Sequence, residues 1–193
     1  TKKNKNKMKI FIKNLKPDYI FCFGWSHILN SDIIKIPSKK CIGYHPTLLP
    51  MNKGRHPIIW AIVLGLKFTG SSFFEIINRI DSGKVLSQKK VKISKGETST
   101  SLYKKLILIA KKQLKALLKK IDSNSFTKKK SNYKIYSNYW RKRNFEDGII
   151  DFRQSSKSII RLVNALKYPY PNASIEINGK FIKVKDCKLK KPG

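Results

Sequence analysis

Apolar residues fall along this chain in runs whose period changes from one segment to the next. After a Lys/Asn opening over residues 1–9, Ile10, Phe11 and Leu15 recur at helical spacing, and Pro17 stops that helix. Tyr19-Ile20-Phe21-Cys22-Phe23 is apolar on both faces up to Gly24, the pattern of a central strand in a parallel sheet covered on each side. Trp25–Leu29 is the turn that follows. Ser31–Ile34 start a short helix closed by Pro37, and Cys41–Tyr44 form a second strand. Strand, helix, strand predicts a βαβ unit.

The next stretch, His45-Pro46-Thr47-Leu48-Leu49-Pro50, is a loop in which two prolines fix backbone angles and remove amide donors. A stiff loop at the carboxyl end of a buried strand is where open α/β sheets place their chemistry. Taken alone, His45 reads more readily as a residue that caps the strand and bonds a nearby carbonyl, and the motifs below shift that balance. A polar turn leads to Pro57, which opens a helix with Ile58, Ile59, Trp60, Ile62, Val63 and Leu66 inward. Thr69-Gly70 then turn into a strand over Ser71–Ile77, a loop over Asn78–Gly83 and a half-exposed strand over Lys84–Ile93.

Thr98 or Ser99 caps the longest helix, which runs to about Ile121. Leu102, Leu106, Ile109, Ala110, Leu114, Leu117 and Leu118 line one side of it, and lysines the other. Residues 123–147 lack a period and read as a linker between a domain at 1–122 and a second module at 148–193. In that module Ile149–Phe152 is a short strand, and Ser155 or Ser156 caps a helix with Ile159, Ile160, Val163 and Leu166 inward. Ala173–Ile177 and Lys180–Val184 flank Asn178-Gly179, the signal of a hairpin with a type I′ turn.

Composition adds two constraints. A hydrophobic fraction of 40%, with 10 Phe, 8 Tyr and 3 Trp, supports a real core and excludes disorder as the main state. The balance of 43 Lys and Arg against 11 Asp and Glu gives +32, which favours nonspecific binding to polyanions. The surplus is mostly Lys and travels with Ile and Asn, so compositional bias reads as well. The Lys128–Arg143 run has the same two readings, a basic aromatic strip for nucleic acid or a solvated linker with aromatic anchors. Cys22, Cys41 and Cys187 are widely spaced in apolar contexts. They predict buried thiols in a reducing, cytoplasmic setting, without a metal site. No apolar run reaches the roughly 18 residues of a membrane span, and no signal peptide is visible. The chain opens on Thr1 rather than Met, and we expect it to be a piece of something longer.

Four ordered motifs carry a family resemblance: His45-Pro-Thr-Leu-Leu-Pro, Gly54-Arg-His-Pro-Ile-Ile-Trp-Ala, Thr69-Gly and Ile80-Asp81-Ser-Gly. Together they resemble the 10-formyltetrahydrofolate-dependent formyltransferases, which include methionyl-tRNA formyltransferase and the sugar N-formyltransferases. Glu146-Asp-Gly-Ile-Ile-Asp-Phe, Tyr168-Pro-Tyr-Pro and the Asn178-Gly-Lys hairpin are similar to the start of that family's small C-terminal domain. The resemblance implies an α/β fold, a partial Rossmann-like domain with a parallel sheet, followed by a small α+β module. It also implies that His45 and Asp81 are catalytic and that 10-formyltetrahydrofolate is the cosubstrate. The pterin would lie between the turn of Phe23, Gly24, Trp25, Ser26, His27, Ile28 and Leu29 and the loop of Ile77, Asn78, Arg79 and Ile80, held mainly by backbone groups. The acceptor amine would belong to an amino sugar nucleotide or an aminoacyl-tRNA, and the Gly54–Trp60 run is more similar to the sugar enzymes. The chain departs from the family twice. It lacks roughly seventy N-terminal residues of the usual domain, and Gly43 stands where the family has Asn. Both departures also admit an inactive basic RNA-binding or scaffold remnant of the fold.

Overall fold

The computed structural model describes residues 2–25, 27–123 and 137–190. Helix α1 (Lys2–Leu15) leads into strand β1 (Tyr19–Cys22), and α2 (Ser31–Ile34) connects it to β2 (Lys40–His45). β1 and β2 pair in parallel, so the predicted βαβ unit forms. β4 (Phe68–Glu75) then pairs antiparallel with β2, and β5 (Val85–Lys92) antiparallel with β4, in the order β1-β2-β4-β5. The sheet is therefore mixed, and the expected parallel arrangement holds for its first pair.

Several boundaries differ from the sequence reading. β1 is an edge strand among the described residues rather than a central one. Phe21 and Phe23 stay 37% and 41% exposed, with Phe23 set edge-on to Phe73 at 5.4 Å between ring centroids. β4 starts at Phe68 and takes Thr69-Gly70 into the strand, where they pair with Val91 and Lys90 of β5. Residues Ile149–Phe152 make only an isolated bridge to Ser174, preceded by a 3-10 turn over Glu146–Gly148.

Helix α3 (Pro57–Val63) stops before Leu66. α4 (Ser99–Asp122) begins with a capping box, in which Thr98 and Ser101 each bond the other's backbone N–H. Its inward stripe is Leu102, Leu106, Gln113 and Leu117, while Leu118 lies outside it at 41% exposure. α5 (Ser156–Ala165) carries Leu162 and Val163 into the core that Ile58, Ile62, Val91, Leu102 and Leu106 also share. A second cluster of Ile42, Phe73 and Leu117 lies between the sheet and α4. Strands β7 (Ala173–Ile177) and β8 (Lys180–Val184) form the expected hairpin, with Asn178 and Gly179 at φ 49° and 73°. Positive φ at both central residues is the mark of the type I′ turn.

The stretch expected to be a linker is partly structured. Tyr139–Trp140 form β6, which pairs in parallel with β3 (Lys53–Gly54). Trp140 is buried there. Residues 124–136, with the first part of the Lys128–Arg143 run, lie outside the described residues. Among the described residues no helix is long and apolar enough to cross a membrane, and no cluster of three metal-ligating side chains occurs.

Candidate active site

His45 is the last residue of β2 and is 6% exposed. The loop after it is pinned by hydroxyl groups. Thr69 Oγ1 donates to the Pro46 carbonyl at 2.9 Å, Ser72 Oγ to the Thr47 carbonyl at 2.6 Å, and Thr47 Oγ1 to the Met51 carbonyl at 3.0 Å. Pro46 and Pro50 bring no N–H of their own, so the strand beside the loop supplies donors to the loop carbonyls. His45 Nε2 lies 3.0 Å from the Asn52 carbonyl oxygen. A carbonyl only accepts, so this contact places a proton on Nε2 and turns Nδ1 the other way.

Nδ1 faces Asp81 Oδ2 at 3.8 Å. Asp81 reaches this point because the β4–β5 connection folds back along the sheet. Gly83 allows that fold: a Cβ there would stand 1.6 Å from the Glu75 carbonyl oxygen. Asp81 itself sits in the left-handed region at φ 46°, which Asp and Asn tolerate better than most residues. Its Oδ2 accepts the Gly54 N–H at 2.9 Å. Gly54 has φ 99°, and a side chain there would run into the Trp140 carbonyl.

Sequence reasoning missed the segment between these two groups. Asn52, at φ 59°, orients the carbonyl that holds His45. Lys53 is buried, and its Nζ donates to Ser82 Oγ at 2.8 Å, which in turn donates to the Ile80 carbonyl. A lysine beside a glycine in a polar turn looks solvent-facing in sequence, so only its fold neighbours reveal it. Arg143 and Trp140 were equally hidden in the presumed linker. Arg143 N–H donates to His56 Nδ1 at 3.1 Å, and its guanidinium lies 4.7 Å from the Trp60 ring.

The residues expected to cradle a cosubstrate occupy two surface loops. Phe23, Gly24, Trp25, His27 and Ile28 are exposed, as are Ile77, Asn78, Arg79 and Ile80, and Leu29 is half-buried. Ser26 lies outside the described residues. Among the described residues, the backbone groups of 24–25, 27–28 and 77–79 enter no backbone–backbone hydrogen bond. The loops thus combine available amides and carbonyls with exposed apolar side chains, such as Trp25 at 49% and Ile80 at 41%. That combination fits a flat heterocycle with a polar edge. The structure brings His45 and Asp81 together directly. Among the described residues no ring contact or hydrogen bond ties the two loops to each other.

Gly43 stands on the same face of β2 as His45, two residues before it. Its φ is not positive, so the backbone itself would accept a side chain. The space is taken: an added Cβ would lie 2.9 Å from the Phe74 ring.

The chain is similar to known proteins over most of its length. It is 39% identical over 178 residues to the bifunctional polymyxin resistance protein ArnA of Wigglesworthia glossinidia brevipalpis, covering 89% of this chain and 26% of that protein. It is 33% identical over 187 residues to the methionyl-tRNA formyltransferase of Sulfurihydrogenibium sp. (strain YO3AOP1), covering 97% of this chain and 60% of that one. The chain thus spans under two thirds of the length of both. A sugar N-formyltransferase structure from a Shewanella species shares the fold with a TM-score of 0.78 at 24% identity, over 96% of this chain and 75% of that one. Residues 1–121 match the family described as "Formyl transferase", and residues 143–192 the one described as "Formyl transferase, C-terminal domain". With the His45–Asp81 pair at the end of its sheet and these matches along both parts, the chain belongs to the formyl transferase family.

Proposed function

We propose that this chain carries the reacting groups of an enzyme that moves a formyl group from 10-formyltetrahydrofolate to a primary amine. The observation that carries the reading is His45 Nδ1 facing the Asp81 carboxylate at 3.8 Å, with Nε2 already committed to the Asn52 carbonyl. The formyl-folate would supply the one-carbon group at an electrophilic amide carbon. Phe23, Gly24, Trp25, Ser26, His27, Ile28 and Leu29, with Ile77, Asn78, Arg79 and Ile80, would hold its pterin end.

What the chain does follows from which nitrogen is free. Nδ1 is the ring atom that takes and returns a proton, because Nε2–H stays with Asn52. At 3.8 Å Asp81 is beyond hydrogen-bond range of Nδ1 and faces it as a charge. A pair this loose in a free enzyme tightens in the reacting complex. As the amine attacks the formyl carbon, Nδ1 takes its proton. The resulting imidazolium stands beside the Asp81 carboxylate and the oxyanion forming on the formyl oxygen, and the proton passes to the folate nitrogen as its C–N bond breaks. Of the two side chains Asp81 is the more open, 16% exposed against 8%, so the amine approaches from its side.

An amino sugar nucleotide is the acceptor we favour, on the likeness of Gly54–Trp60 to the sugar enzymes. The +32 charge and the 33% identity to a methionyl-tRNA formyltransferase favour an aminoacyl-tRNA as the second reading. The three cysteines are free thiols, which suits the cytoplasm, where both acceptors occur. The test is formyl transfer from 10-formyltetrahydrofolate to each acceptor class by the full-length protein. His45→Ala and Asp81→Asn should each lower kcat by about 10³ or more, and the double variant little further, because the two act as a unit. Parental rates in either single variant would remove it from the mechanism. No transfer to either acceptor by the parent would leave the inactive remnant as the better reading.

A further inference from the structure

Strand β6 and the residues beside it come from the stretch that reads as a linker, yet they grip the segment on which the site is built. Four hydrogen bonds make the grip. Asn138 Oδ1 accepts the Asn52 N–H at 2.7 Å, and Asn138 Nδ2 donates to Asn52 Oδ1 at 2.9 Å. Lys53 N–H donates to the Asn138 carbonyl at 3.1 Å, and Arg55 N–H to the Trp140 carbonyl at 2.9 Å. The gripped segment touches His45, Asp81 and the residue after Asp81. The Asn52 carbonyl takes His45 Nε2, Lys53 Nζ holds Ser82, and Gly54 N–H holds the Asp81 carboxylate.

We propose that Asn138 is a positioning residue for the His45–Asp81 pair, acting through Asn52–Gly54. Asn52 is in the left-handed region, a conformation that persists where surrounding bonds over-determine it. The reciprocal amide pair with Asn138 supplies two of those bonds. Without them the Asn52–Lys53 peptide is held only by the Lys53 N–H bond to the Asn138 carbonyl, and its own carbonyl swings away from His45 Nε2. The imidazole then loses its preference for the Nε2–H tautomer, and Nδ1 is no longer aimed at Asp81. Asn138 is itself exposed, so its substitution leaves both hydrophobic clusters intact.

This inference rests on the reading of His45 and Asp81 as the reacting groups, so its test has an arm that needs no turnover. The full-length protein is labelled with ¹⁵N-histidine, and the His45 signals are assigned by their loss in His45→Gln. In the parent, neutral His45 should be the Nε2–H tautomer. In Asn138→Ala the two His45 tautomers should mix, while His27 stays unchanged. In the activity arm kcat should fall about tenfold, with less than a twofold change in KM for formyl-folate. Asn138→Asp, which keeps the acceptor for Asn52 N–H, should recover part of both effects, and it carries the test if Asn138→Ala does not fold. An unchanged His45 tautomer in the Asn138 variants overturns the proposal. So does an unchanged kcat in a protein that turns over. A parent without transfer activity but with the tautomer change keeps the positioning role and sinks the enzyme reading instead.

Discussion

Gly43 and His56 show how single residues here are set by their neighbours. An Asn at 43 would stand on the His45 face, but its Cβ would press on Phe74, which is 5% exposed. Overpacking of this kind costs about 1–3 kcal/mol. Gly43→Asn should therefore lower the denaturation midpoint. Adding Phe74→Leu should restore part of the loss, and a double-mutant cycle in chemical denaturation reads the coupling. Additive effects would show that the ring does not fill the position. His56 is a second case. Its Nδ1 accepts the Arg143 N–H, and burial, followed by the charges of Arg55 and Arg143, holds its pKa below the ordinary 6.5. The unfolded chain therefore binds the proton first as pH falls. The stability this gives is complete above pH 6.5 and is lost as pH drops below it toward the folded-state pKa. Denaturation at pH 7.5 and 5.5 should show a decline that His56→Gln reduces.

At the scale of elements, the β4–β5 connection and β6 do the positioning. The connection returns Asp81 to His45 only if the backbone at 83 passes against Glu75, where a methyl group has no room. Gly83→Ala should cost more than about 2 kcal/mol and displace Asp81, a combined loss of midpoint and kcat. A variant with parental stability and rate would mean that the loop has another path. β6 anchors differently, through a buried Trp140 and the stacking of Arg141 and Arg143 on Trp60, with Arg141 paired to Asp147 at 2.5–2.7 Å. The helix caps are a separate matter of local chemistry. Thr98→Ala removes an acceptor from the first turn of α4 and should cost about 1 kcal/mol.

Over the whole molecule the lysines are spread rather than gathered. They line the outer face of α4 at 104, 111, 112, 115, 119 and 120, and β5 at 89, 90 and 92. Those on β5 lie along an edge strand, where lysine also discourages pairing with another chain. Binding to RNA should accordingly be weak and collapse with added salt, log K falling by about 0.7 per neutralised phosphate for each unit of log salt. Filter binding across a salt series checks this. Tight binding that distinguishes initiator tRNA from other tRNAs would reverse the choice of acceptor.

The sequence by itself determined most of the elements and pointed to His45 and Asp81 as the pair we propose to react. Period and punctuation are local properties, so α4, the βαβ unit and the Asn178-Gly179 turn could be read from neighbours a few residues apart. The ordered motifs likewise single out His45 and Asp81. What only the tertiary structure decided depends on contacts between distant residues. That β1 pairs with β2 alone among the described residues, that Lys53 is buried, that Phe74 fills the place beside Gly43, and that Asn138 grips Asn52 are facts of pairing across the fold. A polar run such as Asn138–Arg143 has no period to betray a partner, because its bonds are made mostly by backbone and amide groups that every sequence contains.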